Sequence, residues 1–167
     1  ICSHSRGLSG AGQTANTDAV RSMKPRQSGH PYIDTIQTYY QGCNTADFEL
    51  MMSTFTADVV HYFVDHGAVR GAEALANYWC KVGTRTRANW MLDHAILQVP
   101  EAVIDWSMRW TPAATGDPEV LRGSEWYLFE GERIKEIRSY HNNFYLQGPD
   151  NRRLHDFDYE GRGYRIE

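Results

Sequence analysis

"YYQGCNTADFELMMSTFTADVVHYF", residues 39–63, holds the end of one helical pattern, the whole of a second and the start of a strand. Upstream, Pro31 suits the first turn of a helix. From there Tyr32, Ile36, Tyr39, Tyr40 and Cys43 recur at three-to-four-residue spacing, the mark of one buried stripe. Asn44 and Thr45 end that helix and can cap the next, where Phe48, Met51, Met52 and Phe55 repeat the spacing. The stretch DVVHYFVDHG, 58–67, then reads as a strand that bends at Gly67 and runs to Gly71. A third helix follows over about 72–83, with Leu75, Tyr78, Trp79 and Val82 on its inner face.

After Arg85 the period changes to two. Segments 91–99, 102–111, 120–130 and 133–143 alternate and are rich in Val, Ile, Trp, Tyr and Phe. Pro100-Glu101, Thr115-Gly116-Asp117-Pro118 and Gly131-Glu132 separate them. Three helices followed by a meander of four antiparallel strands predict an α+β fold, with the helices lying across one face of a curved sheet.

At 167 residues one domain is expected. Residues 1–30, rich in Ser, Gly, Thr and Gln, read as a flexible extension, 31–143 as the domain, and 144–167 as a tail. Phe144, Tyr145, Phe157, Tyr159 and Tyr164 make that tail too aromatic for plain disorder and suit a pocket flap or a dimer arm. The formal charge of −4, with scattered basic residues, lacks the footprint of a nucleic-acid binder. No apolar run approaches the ~18 residues of a membrane span, and the first residues lack the order of a secretory signal. The cytoplasm is the expected compartment. Cys2, Cys43 and Cys80 form no CxxC, so neither a disulfide framework nor a zinc site is expected.

Each strand presents a polar row and an apolar row. In 102–110, Val103, Asp105, Ser107 and Arg109 oppose Ile104, Trp106, Met108 and Trp110. In 123–129, Gly123, Glu125, Tyr127 and Phe129 oppose Ser124, Trp126 and Leu128, and in the last strand Ile137, Ser139 and His141 oppose Arg138 and Tyr140. Two arrangements satisfy this pattern. Either the polar rows face water over an apolar core, or they line a concave pocket while the tryptophans pack elsewhere.

The opening stretch, together with "LRGSEWYLFEGERIKEIRSYHN" at 121–142, resembles the first and last parts of the nuclear transport factor 2-like superfamily. That superfamily includes SnoaL-like polyketide cyclases, ketosteroid isomerases, limonene epoxide hydrolases and scytalone dehydratase. The resemblance implies a cone of mixed, mainly antiparallel sheet holding a small, largely apolar organic substrate, with no cofactor. It turns Tyr39, His61, Phe63, His94, Ser107, Arg109, Glu125, Ser139 and His141 toward the cone, with Asp105 on the same row. A homodimer is implied, with Trp106, Trp110 and Trp126 as candidates for burial in it.

No catalytic set of the superfamily is complete. Tyr39 and Glu125 match the oxyanion tyrosine and protonated acid of the steroid isomerases, but their general base falls on Phe63. The two aspartates of the epoxide hydrolases fall on Arg109 and Ser139. His94 matches the dehydratase histidine, whose aspartate partner falls on Asn44, leaving Asp105 as a substitute. His61 can exchange a proton near neutral pH, against the alternative of a buried histidine bonded to backbone. Glu125, if desolvated, serves as an acid, or else pairs with Arg109. The expected catalytic group is therefore His61, Asp105, Glu125 and Tyr39. Phe63, His94, Ser107, Arg109, Tyr127, Ser139 and His141 would line the substrate. Asp65 and His66 read as surface turn residues. His61 and His66, five apart across a bend, do not make a metal spacing, and no HExxH motif, P-loop or dinucleotide fingerprint occurs. The expected activity is acid/base chemistry (isomerase, dehydratase or aldol-type cyclase), the alternatives being a non-catalytic ligand-binding module or an epoxide-hydrolase-like enzyme.

Overall fold

The computed structural model describes residues 29–113, 115–141 and 153–164. Nearly all of the N-terminal extension, the last two residues of the expected domain (142–143), and the parts 144–152 and 165–167 of the tail lie outside the described residues. The elements run α1 Pro31–Thr45, α2 Phe48–Thr54, β1 Phe55–Tyr62, β2 Val69–Arg70, α3 Ala72–Thr86, β3 Asn89–Gln98, β4 Glu101–Trp110, β5 Glu119–Glu130 and β6 Arg133–His141. They build an open six-stranded mixed sheet in the order β2-β1-β6-β5-β4-β3, parallel between β1 and β6 and antiparallel elsewhere.

The helices form where the spacing predicts, with one change of cap. Ala46 turns left-handed after α1, and Asp47 caps α2 by accepting from the Leu50 amide at 3.0 Å. Asn44 is drawn elsewhere: its side-chain amide bonds both N–H and C=O of Trp90, at 2.7 and 2.9 Å, fixing the start of β3 to the end of α1. The stripe Ile33, Ile36, Tyr39, Tyr40 and Cys43 is buried against the inner face of the sheet together with Met51, Phe55 and Leu75.

Strand register divides that inner face into rows. From the β3–β4 turn outward they read Leu97–Ala102–Tyr127–Ile137, Ala95–Ile104–Glu125–Ser139, Leu92–Trp106–Gly123–His141 and Trp90–Met108–Leu121. Burial declines along this series. Ala102 and Tyr127 are 1% and 0% exposed, Trp90 and Met108 are each 8%, and Leu121 and Trp110 are only half-buried. The inner face thus has a sealed floor and an open end near the β4–β5 connection.

Gly123 is the point of closest approach in the third row. A Cβ there would meet the Trp106 ring at 2.5 Å and the Tyr140 carbonyl oxygen at 2.7 Å, so the indole lies where a side chain would stand. Gly123→Ala is expected to destabilise the fold by about 3 kcal/mol, because a backbone oxygen as well as a ring must move. A thermal melt of the variant measures it.

The outer face near β1 and β6 is covered by residues 153–164. Leu154 and Phe157 form a second small core with Tyr62 and Val64. Phe157 lies between two guanidinium groups, Arg138 at 5.0 Å and Arg162 at 4.4 Å from its ring centre. Both arginines donate to Glu136: Arg138 Nε at 2.6 Å, and Arg162 through both terminal nitrogens at 2.9 and 2.7 Å. Burial pushes the Glu136 carboxyl up, but Arg162 and Arg138 outweigh it and hold the group below the ordinary range. A depressed folded-state value gives stability that is present above the unfolded value and lost as pH falls through the folded one. Glu136→Gln is therefore expected to cost about 2 kcal/mol at neutral pH, the gap to wild type closing as pH falls below about 4. Melting curves at a series of pH values follow that gap.

Candidate active site

A carboxyl group lies near the floor of the inner face, surrounded by hydroxyls. Glu125 Oε2 accepts from Tyr40 Oη at 2.8 Å and from Tyr127 Oη, while Oε1 accepts from Ser139 Oγ at 2.5 Å. Three elements supply these donors: α1 brings Tyr40, β5 brings Tyr127 two residues along the same face, and β6 brings Ser139 directly opposite in register. Burial pushes the Glu125 carboxyl up, and the hydroxyls of Ser139, Tyr127 and Tyr40 pull it back without cancelling the rise. Burial also holds the phenols of Tyr40 and Tyr127 well above their ordinary range, so both keep their protons and donate. Three donors on two oxygens is the arrangement of an ionised carboxylate.

The chain continues into β1. His61 Nε2 lies 2.6 Å from Ser139 Oγ, and its ring stacks on Phe63 at 3.9 Å. Ser139 has one proton, which it gives to Glu125, so it accepts from His61 and the Nε2–H tautomer follows. Burial, then the charges of His66 and His141, push the His61 pKa well below its ordinary value. The ring is neutral, and its 3.9 Å approach to Glu125 is not an ion pair. His61 Nδ1 is then a bare lone pair, buried and without a hydrogen-bond partner among the described residues.

A second polar group lies one row nearer the open end. His141 Nε2 is 3.6 Å from Asp65 Oδ2, and Asp65 Oδ1 is 3.7 Å from His66 Nε2. His66 bonds the Gly67 carbonyl through Nδ1 and the Tyr78 hydroxyl through Nε2, each at 2.8 Å. Burial, with Asp65 nearby, pushes the Tyr78 phenol up to about 12, so it donates to His66. Trp79, from α3, packs against His61, Phe63 and Trp90, and the Trp106 ring lies 5.9 Å from that of His141. The indole nitrogens of Trp79 and Trp106 are buried donors without partners among the described residues.

The expected residues divide between the two faces. His61, Phe63, Glu125, Tyr127, Ser139 and His141 come together on the inner side. In β4 the apolar row is inside, so Asp105 and Arg109 are exposed on the outer face and Trp106 is 4% exposed within the core. Ser107 is on that outer face too, covered by Asp93 and by Arg122, which donates to it at 2.7 Å. Asp93 is the extra residue of a bulge, which turns His94 outward beside Asp105. Asp105 accepts from Ser124 at 2.6 Å, and this pair of expected partners lies away from Glu125 and His61. With Arg109 outside and Ser139 inside, the two positions of the hydrolase pattern are on opposite faces. Tyr39 is buried among Phe55, Tyr40 and Trp79, and the α1 hydroxyl bonded to Glu125 is not its own. The next residue of the helix, Tyr40, takes the place expected of it.

Two groups escape a sequence reading. Tyr40 belongs to the same buried stripe as Tyr39, and spacing alone does not separate them. Asp65 and His66 do lie at a bend, but Tyr78 and the tail cover it: Ala68 N donates to Asp156 at 2.8 Å and His155 N to the Phe63 carbonyl at 2.8 Å. Among the described residues no three His, Cys, Asp or Glu side chains gather in a way that could hold a metal ion. No helix among them is long and apolar enough to cross a membrane.

The model of the SnoaL-like domain matches residues 36–137, from within α1 to within β6, and so includes Tyr40, His61 and Glu125 and ends just before Ser139 and His141. The chain belongs to the SnoaL-like family. A structure of a protein of unknown function with a cystatin-like fold, from Methylobium petroleophilum PM1, is 34% identical to this SnoaL-like chain, with a TM-score of 0.68 over 82% of this chain and 92% of the other. A Mycobacterium tuberculosis protein in complex with estradiol-17β-hemisuccinate is 16% identical, with a TM-score of 0.59 over 70% and 96% of the two chains. A Catenulispora acidiphila DSM 44928 protein with a ketosteroid isomerase-like fold, in complex with trimethylamine, is 10% identical, with a TM-score of 0.62 over 68% and 88%. A search of curated proteins finds no match to the SnoaL-like chain.

Proposed function

We propose that this SnoaL-like protein is an acid/base enzyme that removes a proton from carbon in a small, largely apolar substrate bearing a carbonyl or hydroxyl group, without a cofactor. The observation that carries the proposal is the chain His61–Ser139–Glu125, ending in an Nδ1 that has no partner among the described residues. His61 Nδ1 takes the substrate proton, the Nε2 proton passes to Ser139 Oγ, and the Ser139 proton passes to Glu125 Oε1. The substrate keeps the C–H electron pair as an enolate, and Glu125 becomes a neutral acid. Each shift suits its group: burial opposes a charged His61 and favours a protonated Glu125. Isomerisation returns the proton to another carbon, dehydration sends it to a leaving hydroxyl, and aldol cyclisation uses the enolate to form a ring. A steroid ester bound by a similarly folded relative supports an apolar ligand.

The test uses 5-nitrobenzisoxazole, a flat molecule with one abstractable C–H whose loss opens the ring to a phenolate. The wild type is expected to open it faster than free imidazole at equal concentration, and Ser139→Ala to lower that rate about 100-fold by cutting the proton's path. Binding of the probe with no turnover would leave a ligand-binding module in place of an enzyme.

We also propose a homodimer, in a reducing cytoplasm that suits the free thiols of Cys43 and Cys80. Register aligns Ile96, Val103 and Trp126 across the outer face, where Ile96 is 65% and Trp126 37% exposed. Of the three tryptophans expected at such an interface, only Trp126 is on this face, since Trp106 belongs to the core. Ile96→Lys is expected to shift the mass measured by light scattering from dimer to monomer.

A further inference from the structure

We propose that Asp65 and His141 form a second proton-transfer couple, which delivers a proton to the substrate oxygen while His61 takes one from carbon. This rests on the proposed function of the same site and adds its opposite pole. Ser139 and His141 are two residues apart on β6, so both project to the inner face, about 6.7 Å apart along the strand. The first is tied to His61 and Glu125 and the second faces Asp65, so adjacent rows carry two separate carboxyl–histidine groups.

His141 has the geometry of a positioned donor. Asp65 Oδ2 is 3.6 Å from Nε2, with the two side chains 12% and 10% exposed, a charge-pair spacing that leaves Nδ1 as the ring nitrogen not facing Asp65. Nδ1 is buried and has no hydrogen-bond partner among the described residues. A buried imidazole nitrogen without a partner is costly in a finished fold, and a substrate oxygen would satisfy it. Asp65 is itself held in place. The bend that carries it is tied to the tail through Ala68–Asp156 and Phe63–His155. Trp106 gives the His141 ring an aromatic wall, and Gly123 leaves space for that indole.

In the benzisoxazole reaction His61 Nδ1 takes the C3 proton, the C–H pair forms the nitrile, and the N–O bond breaks onto oxygen. Charged His141 gives its Nδ1 proton to that oxygen, and a phenol leaves. An acid at oxygen matters most where the leaving phenol is least acidic. His141→Asn is therefore expected to slow unsubstituted 1,2-benzisoxazole about 100-fold and the 5-nitro compound only about 5-fold. Asp65→Asn should show the same unequal loss at smaller size, about 10-fold and about 2-fold, and serves as the second variant should His141→Asn not fold. His61→Asn should slow both compounds equally. Equal losses for the two compounds in the Asp65 or His141 variants, or no loss, would overturn the couple while leaving His61 as base. A His61→Asn protein as fast as wild type would overturn the base, and the couple with it.

Discussion

His61→Asn is expected to lower 5-nitrobenzisoxazole turnover by about 1,000-fold while the protein stays folded. The loss should be large because, among the described side chains bonded in the Glu125–Ser139 chain, only His61 offers a basic lone pair. Tyr40 and Tyr127 keep their protons, Ser139 passes its proton on, and Glu125 is occupied by three donors. Folding should survive because asparagine can still donate toward Ser139 and the stack on Phe63 is only one wall of a large aromatic core. Initial rates together with a melting curve separate the two effects. A variant that melts like wild type and keeps its rate would mean that His61 is a core histidine with a satisfied Nε2 and no role at carbon.

Glu125→Gln should cost about 100-fold or more by reversing the direction of the same hydrogen bonds. Tyr40 and Tyr127 would go on donating, now to the amide oxygen, which places the amide N–H₂ against Ser139. Ser139 would then donate to His61 Nε2, the imidazole proton would move to Nδ1, and the lone pair would be lost. The pH profile gives an independent check. Glu125 must be ionised to receive the relayed proton, and its pKa is raised by burial, so the wild-type rate should fall toward acid above the ordinary carboxylate range. In Glu125→Gln the limb should disappear along with most of the rate.

The helices, the order of strands and half of the site were legible in the sequence because they follow local periods. Tyr32, Ile36, Tyr40 and Cys43 mark one face of a helix wherever it docks, and Glu125, Tyr127, Ser139 and His141 alternate as inward rows do. Periodicity gives two faces but not which of them is inside. In β4 the tryptophan row won the core because Ile104, Trp106 and Met108 bury far more apolar surface than Val103, Asp105 and Ser107. β5 went the other way, since Tyr127 and Phe129 carry the apolar weight beside Glu125. The bulge at Asp93 reversed the parity of β3, and nothing in the alternation of 91–98 announces it. Asp65 was out of reach for another reason: its burial comes from His141, Tyr78 and a tail about ninety residues away, none of which a local pattern can supply.

One proton decides whether His61 can act as a base, and long-range nitrogen–proton NMR correlations of the histidine side chains locate it without a substrate. The hydrogen-bond chain predicts that at neutral pH His61 is uncharged, with its proton on Nε2 and Nδ1 bare, and that Glu125→Gln moves the proton to Nδ1. A wild-type His61 that carries its proton on Nδ1, or that is an imidazolium, would contradict it.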